Sequence, residues 1–319
     1  MSFLIQAWST LITGKKKLLL AVAATLILQF STATDGAGTS LARNGCPDKC
    51  GNVSIPYPFG MGKAVCFLEG FEVNCTSDNV PVLNSTGTRL LEINLTSGEA
   101  RVENKNISVA CNLSHEKSSD GPFLPIGRSF MVSRTKNIFT AVGCSTIALI
   151  AGDILTPIME DSTEEYTHRR FYRVSACGVF CFDDSSSSKT DCSGRGCCQS
   201  EIPTNLRSFY PWFDNYDNAI GGQNFTNCSY AFVAESDWFQ FDPNYVKPHV
   251  FEKEKLSGQR PPLVLDWVVG NTTCDAATKM GSSLCADTNS VCVNVTSGHR
   301  CICPTGYEGN PYLIGGCQG

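Results

Sequence analysis

Between Cys46 and Cys75 the chain reads CPDKCGNVSIPYPFGMGKAVCFLEGFEVNC. Four cysteines (Cys46, Cys50, Cys66, Cys75), prolines on both sides of Tyr57 and glycines at turn positions share these thirty residues. No repeating apolar period runs through the stretch that would bury a core without covalent help. A small disulfide-stapled module is therefore expected, with three connectivities open to its four cysteines. The whole chain has 18 cysteines in 319 residues, an even count that allows complete pairing. Disulfides persist in oxidising compartments and are rare in the cytosol. At ~2–4 kcal/mol each, several bridges rival the net stability of a typical domain.

An exported chain is expected on other grounds. Lys15, Lys16 and Lys17 precede the apolar run Leu18 to Phe30, and Ser31-Thr32-Ala33 offers small residues at cleavage positions. The run is short for a membrane span. Later apolar stretches are interrupted, Leu263 to Val269 by Asp266 and Ile138 to Ile150 by Thr140, Cys144, Ser145 and Thr146. Membrane attachment is thus expected only if the signal stays uncleaved or a full-length form carries a transmembrane helix. Ten of the 20 asparagines stand in N-x-Ser/Thr: Asn52, Asn74, Asn84, Asn94, Asn106, Asn112, Asn224, Asn227, Asn271 and Asn294. This density predicts a glycosylated surface. The net charge is −5, and −8 once the three signal lysines are removed, which argues against nucleic-acid binding.

The chain divides into an export signal (1–33), a polar spacer (34–45), the first module (46–111), a cysteine-rich middle region (112–241), a charged, proline-containing linker (242–262) and a last module (263–319). The expected fold class is mostly β, a disulfide-rich multi-module extracellular chain. In the first module Phe71, Val73 and Cys75 alternate with Glu72 and Asn74. Leu91, Ile93 and Leu95 alternate with Glu92 and Asn94, and Ile107 and Val109 with Asn106 and Ser108. Each time the sequon asparagine falls on the polar face of a period-two pattern, where a glycan would meet solvent. Ser97-Gly98 reads as a turn. In the middle region Ile138 to Ile150 reads as two buried strands around a turn near Cys144, and Tyr230 to Ala234 as a further strand. Cys111, Cys144, Cys177, Cys181, Cys192, Cys197, Cys198 and Cys228 are expected to form disulfides of open pairing, with the adjacent Cys197 and Cys198 bonding outward to different partners.

The last module carries Cys274, Cys285, Cys292, Cys301, Cys303 and Cys317. Its Cys-x8-Cys-x-Cys spacing followed by Gly306-Tyr307 resembles an EGF-like module. Spacing alone leaves fifteen pairings; the resemblance implies Cys274 with Cys292, Cys285 with Cys301, and Cys303 with Cys317.

Ordered motifs along nearly all of the mature chain resemble the ectodomains of plant wall-associated receptor kinases. They are Cys46-x3-Cys50-Gly51, IPYPFG (55–60), Phe71-x-Val73-x-Cys75, NIFTAVGC (137–144), GCCQ (196–199), YAFVAESDWF (230–239), LVLDWVVGN (263–271) and GYEGNPYL (306–313). The resemblance implies a galacturonan-binding first module, a cysteine-rich associated region and an EGF-like module. Residues 1–319 contain neither the membrane helix nor the kinase of such receptors. A truncated product, a soluble form and a piece of a longer receptor all fit. Calcium-binding EGF modules carry acids just before their first cysteine. Here Val268 to Thr273 has none, so no calcium is expected, with Asp266 and Asp287 the only nearby acids.

No P-loop, Gly-x-Ser-x-Gly or kinase signature is present, and no enzyme is expected. His115, His168, His249 and His299 are scattered among polar residues and read as solvated. No metal or other cofactor is expected. Zinc on Cys177/Cys181 or Cys301/Cys303 is disfavoured because exported thiols oxidise. An anionic pectic polymer would be held by cations on its carboxylates and by flat aromatic faces. The carbohydrate-binding candidates are Lys49, Lys63, Tyr57, Phe59, Arg101 and Lys105, although Arg101 and Lys105 are expected to pair with Glu99 and Glu103. Arg128, Arg134 and Lys136 are a second basic group. The module holds five cations and seven carboxylates, so any site must be a local cluster. The expected function is non-enzymatic binding of cell-wall pectin by a secreted or cell-surface ectodomain. The alternative is an extracellular protein-interaction module or soluble decoy that binds a receptor or secreted peptide.

Overall fold

The structure is a computed structural model that describes residues 40–111, 124–144, 146–154, 172–180, 191–214 and 228–319. The expected export signal (1–33) and the sequons Asn112, Asn224 and Asn227 lie outside these residues, as do Cys181, His115 and His168.

Residues 41–319 form one compact unit. Its first part supplies β1 (Lys49–Cys50), β2 (Val53–Ser54), β3 (Val73–Cys75), β4 (Pro81–Leu83), β5 (Thr88–Asn94), β6 (Glu99–Glu103) and β7 (Ile107–Cys111). The middle supplies β8 (Leu124–Pro125), β9 (Phe130–Val132), β10 (Asn137–Val142), β11 (Thr146–Ile154), β12 (Tyr172–Val179), β13 (Cys197–Ser200), β14 (Leu206–Asp214) and β15 (Cys228–Glu235). The last part adds β16 (Pro262–Trp267), helix α1 (Cys274–Lys279), β17 (Val291–Val295), β18 (Gly298–Ile302), β19 (Glu308–Gly309) and β20 (Cys317–Gln318). The chain is mostly β, as its patterning predicts, and the expected β10, turn and β11 stand where the apolar runs lie.

The sheets cut across the boundaries drawn from sequence. A six-stranded sheet has the order β3-β4-β5-β6-β16-β9, so the first module's meander is extended by strands from the last and middle parts. β7 leaves the first module for a four-stranded sheet ordered β13-β10-β15-β7. A third sheet is ordered β12-β11-β14-β8. The reason lies in the core. Phe59 is fully buried and packs edge-on against Phe71, at 5.0 Å between ring centroids, and against Trp267, at 5.6 Å. Phe130 closes the cluster at 5.2 Å from Phe71. About sixty residues bury a small core unaided; here Trp267 and Phe130 complete it from outside.

The stretch 242–262, expected as a linker, is packed structure. It forms a 3-10 turn at Pro243–Val246 and a π turn at Glu252–Leu256. Tyr245 and Phe251 are buried there, and Phe251 stacks on Phe232 at 5.5 Å and lies 4.8 Å from Tyr230. Composition misleads because the charges of Glu252 to Lys255 alternate on the solvent side, whereas two aromatic rings carry most of the apolar area.

Two strand readings change. In β5 a bulge falls between Leu90 and Glu92, so Leu90 faces Val102 while Leu91 is the extra, half-buried residue. On β7 the polar face is not solvent. Asn106 is 1% exposed, and its Nδ2 donates to Phe209 O at 2.9 Å; Ser108 is buried and donates to Pro211 O. β14 covers the face that alternation assigns to water, so the expected glycan at Asn106 has no room in the folded chain. Asn104, also buried, donates to Val233 O at 2.7 Å and accepts from the Asn106 amide at 2.8 Å. Asn52, Asn74, Asn84, Asn94, Asn271 and Asn294 are exposed.

Disulfides join Cys46 to Cys66, Cys50 to Cys75, Cys177 to Cys198 and Cys192 to Cys197. The adjacent Cys197 and Cys198 thus bond to different partners. The last module pairs Cys274 with Cys292, Cys285 with Cys301 and Cys303 with Cys317, in the EGF order. Cys144 and Cys228 are also disulfide-bonded.

Candidate functional site

The IPYPFG motif runs from Ile55 to Gly60, all buried. Gly60 is required by close approach: a Cβ there would lie 2.0 Å from Cys66 O. The Tyr57–Pro58 peptide is cis. The sequence offers Tyr57 and Phe59 as a flat sugar platform. Phe59 is enclosed by the aromatic core and offers no face to a ligand. Tyr57 is 5% exposed, and its outward face is already covered. The aromatic payload of a small module is needed inside it.

The cover on Tyr57 is Arg43. Its guanidinium carbon sits 4.7 Å from the Tyr57 ring centroid, and its Nη1 donates to Val65 O at 2.9 Å. Burial raises the Tyr57 hydroxyl above its usual range, and the Arg43 charge partly offsets this. Arg43 lies in the stretch read from sequence as a polar spacer, just before Cys46, where the local sequence marks it only as an isolated arginine near a cysteine. Its placement comes from the backbone, since Tyr57 N donates to Leu41 O at 3.0 Å and lays residues 41–43 along the motif. The Cys46–Cys66 bridge and the Cys46 N to Arg43 O bond at 2.9 Å close the other side.

Lys63 stands at the head of the short 3-10 turn Ala64–Cys66, two residues from the Val65 carbonyl that holds Arg43. It is exposed, and among the described residues it makes no ion pair. Lys49 is exposed on β1 and likewise makes none among the described residues. Arg43, bonded to Val65 O, and Lys63, at the head of the same turn, are both exposed and share a surface patch with the 63%-exposed Val65. A guanidinium held by a ring and a carbonyl keeps its remaining donors outward, a suitable fork for a carboxylate.

Arg101 and Lys105 do not join this patch. The Arg101 Nη2 lies 2.7 Å from Glu235 Oε2, and its Nε donates to the same oxygen at 2.8 Å. Glu103 pairs with Arg89 at 3.2 Å, and Glu99 lies 3.9 Å from Lys136. Pairing with Glu99 and Glu103 fails because residues two apart on a strand point the same way, about 7 Å apart, while partners come from neighbouring strands. Lys105 Nζ donates to Gly87 O at 3.1 Å. The second basic group is divided as well: Arg134 pairs with Glu201 at 2.9 Å, Lys136 faces Glu99, and Arg128 is exposed.

His299 is 2% exposed rather than solvated, with Nδ1 2.7 Å from Thr272 O. It sits where Val269 N donates to His299 O and His299 N to Gly270 O, so backbone pairing draws its ring inward. His249 is exposed and lies 2.8 Å from Glu252. Among the described residues no three His, Cys, Asp or Glu side chains form a metal-binding group. Asp287 accepts from Asn289 N at 2.7 Å, and Asp266 lies in β16 with its carboxyl raised above its usual range, first by burial. Among the described residues no helix is long and apolar enough to cross a membrane.

Residues 46–104 match the family model described as wall-associated receptor kinase galacturonan-binding. Wall-associated receptor kinase 2 of Arabidopsis thaliana is 31% identical over 86% of this chain and 34% of its own length. Wall-associated receptor kinase 4 is 30% identical over 88% of this chain and 35% of its own, and wall-associated receptor kinase 1 is 29% identical over 86% and 34%. The chain thus spans about a third of the curated relatives it matches. No solved structure gives a significant match. The stapled front module, the strands that complete it and the EGF-ordered end together make this chain a homologue of the wall-associated receptor kinases along 86–88% of its residues, with a galacturonan-binding type module at 46–104.

Proposed function

We propose that the chain is a non-enzymatic, extracellular ectodomain that binds de-esterified pectin at the front module. The match of residues 46–104 to a galacturonan-binding family carries this reading. The Arg43–Lys63 patch supplies its chemistry: a fixed guanidinium for one uronate carboxylate and a mobile ammonium for a neighbouring one. Exposed charge pairs contribute only about 0–1 kcal/mol each, so short oligomers bind weakly and long polymers gain through repeated contacts. Calorimetry on the secreted chain tests this. De-esterified galacturonan oligomers should bind with a salt-sensitive affinity that falls in Arg43→Ala and Lys63→Ala and vanishes with methyl-esterified oligomers. Salt-independent binding, or none, refutes it.

A second reading, protein interaction, draws support from Ile314 at 91% exposure and the exposed Met280 on the EGF-like module. Crosslinking to an extracellular protein that survives pectin digestion would favour it.

A further inference from the structure

The EGF-like module reaches back into the candidate site through one side chain. Asn310, in the GYEGNPYL motif, is 1% exposed. Its Nδ2 donates to Leu41 O at 2.6 Å and to Tyr57 O at 2.7 Å. Its Oδ1 accepts from Tyr312 N at 3.0 Å. Both amide hydrogens are therefore used on carbonyls more than 250 residues away in sequence. Those carbonyls flank the patch: Tyr57 carries the ring under Arg43, and Leu41 begins the segment that delivers Arg43. Leu41 O also accepts from Tyr57 N, so one amide nitrogen ties together both segments of the site.

The loop that presents Asn310 is itself held. The Cys303–Cys317 bridge closes it, and Asn310 N donates to Gly316 O at 2.9 Å. A Cβ on Gly316 would lie 2.0 Å from Asn310 O, so the turn accepts only glycine there. The Tyr312 hydroxyl oxygen accepts from Cys301 N at 2.9 Å, and the Tyr312 ring lies 6.0 Å from Trp267 of the aromatic core.

We infer that Asn310 of the EGF-like module is a positioning residue for the Arg43–Tyr57 anion site, so that the front module's ligand affinity depends on the docked EGF-like module. This deepens the pectin reading and rests on it. The chemistry is specific to a carboxamide. Two carbonyls facing one group require two N–H donors from a neutral atom, and an aspartate would offer only oxygen to oxygen. By reciprocity, a carboxylate ligand on Arg43 stabilises the module junction as much as the junction favours the ligand.

The test uses the whole secreted chain with Asn310→Ala and Asn310→Asp, beside Arg43→Ala and the double variant Arg43→Ala/Asn310→Ala. Hydrogen exchange reads the latch without ligand. Exchange of the Tyr57 amide and the 41–46 peptide should rise about tenfold in Asn310→Ala while the β17–β18 hairpin is unchanged. De-esterified galacturonan oligomers read the site. Affinity should fall about fivefold in Asn310→Ala and more in Asn310→Asp. Arg43→Ala should cost much less in the Asn310→Ala background than alone, because both act through one guanidinium. Unchanged exchange at Tyr57, or additive losses in the double variant, overturns the positioning role. If exchange responds as expected but the wild-type chain binds no galacturonan, the pectin reading fails instead. If the hairpin also exchanges faster in Asn310→Asp, Asn310→Ala alone decides.

Discussion

Asn106 is a sequon asparagine at 1% exposure whose Nδ2 donates to Phe209 O under β14. Asn106→Ala removes one hydrogen bond, worth about 0.5–1.5 kcal/mol net, and strands a buried carbonyl at about 1–3 kcal/mol. The expected loss is about 2–4 kcal/mol, or roughly 5–10 °C in melting temperature for a unit of this size. Asn84→Ala, at an exposed sequon, should change stability by about 0.5 kcal/mol or less. Scanning calorimetry on both variants, with glycopeptide mass spectrometry of the secreted wild type, is the assay. The wild type should carry no glycan at Asn106. Full occupancy there, or equal melting of the two variants, would refute the reasoning that β14 buries this face.

Phe59→Ala should cost about 3–5 kcal/mol by opening the contacts to Phe71 and Trp267, with ligand affinity per folded molecule little changed; a stable variant that had lost sugar binding would restore Phe59 as a platform. Burial raises the Asp266 carboxyl above the usual aspartate value of 3.8, so its ionisation weakens the fold as pH climbs from that value through the raised one. Asp266→Asn should therefore flatten this part of the stability profile and melt above the wild type at neutral pH; a variant that melts no higher than the wild type there, in thermal unfolding from acid to neutral pH, would count against it.

Where a residue's environment is set by its near neighbours, the sequence was legible. The apolar runs around Cys144 became β10 and β11, and Tyr230 to Ala234 became β15. The exposed asparagines at Asn74 and Asn94 lie where alternation puts them, because β3 and the end of β5 have one face in water. The same rule failed on β7, since period two reports that two faces differ and not what covers the second. Arg101 failed for a related reason: its carboxylate is on β15, 134 residues away.

What the residues determine alone is the covalent and local scheme: a cysteine-rich β chain with turns at its glycines and an EGF-like spacing at its end. Tertiary structure decided which pieces share a core and where the cations stand. Trp267 and Phe130 joined the front module because sixty residues enclose too little apolar volume unaided. Arg43 lies over the Tyr57 ring only because the backbone at Leu41 returns to Tyr57 and Asn310 fastens both, a meeting of three distant segments that no local pattern encodes.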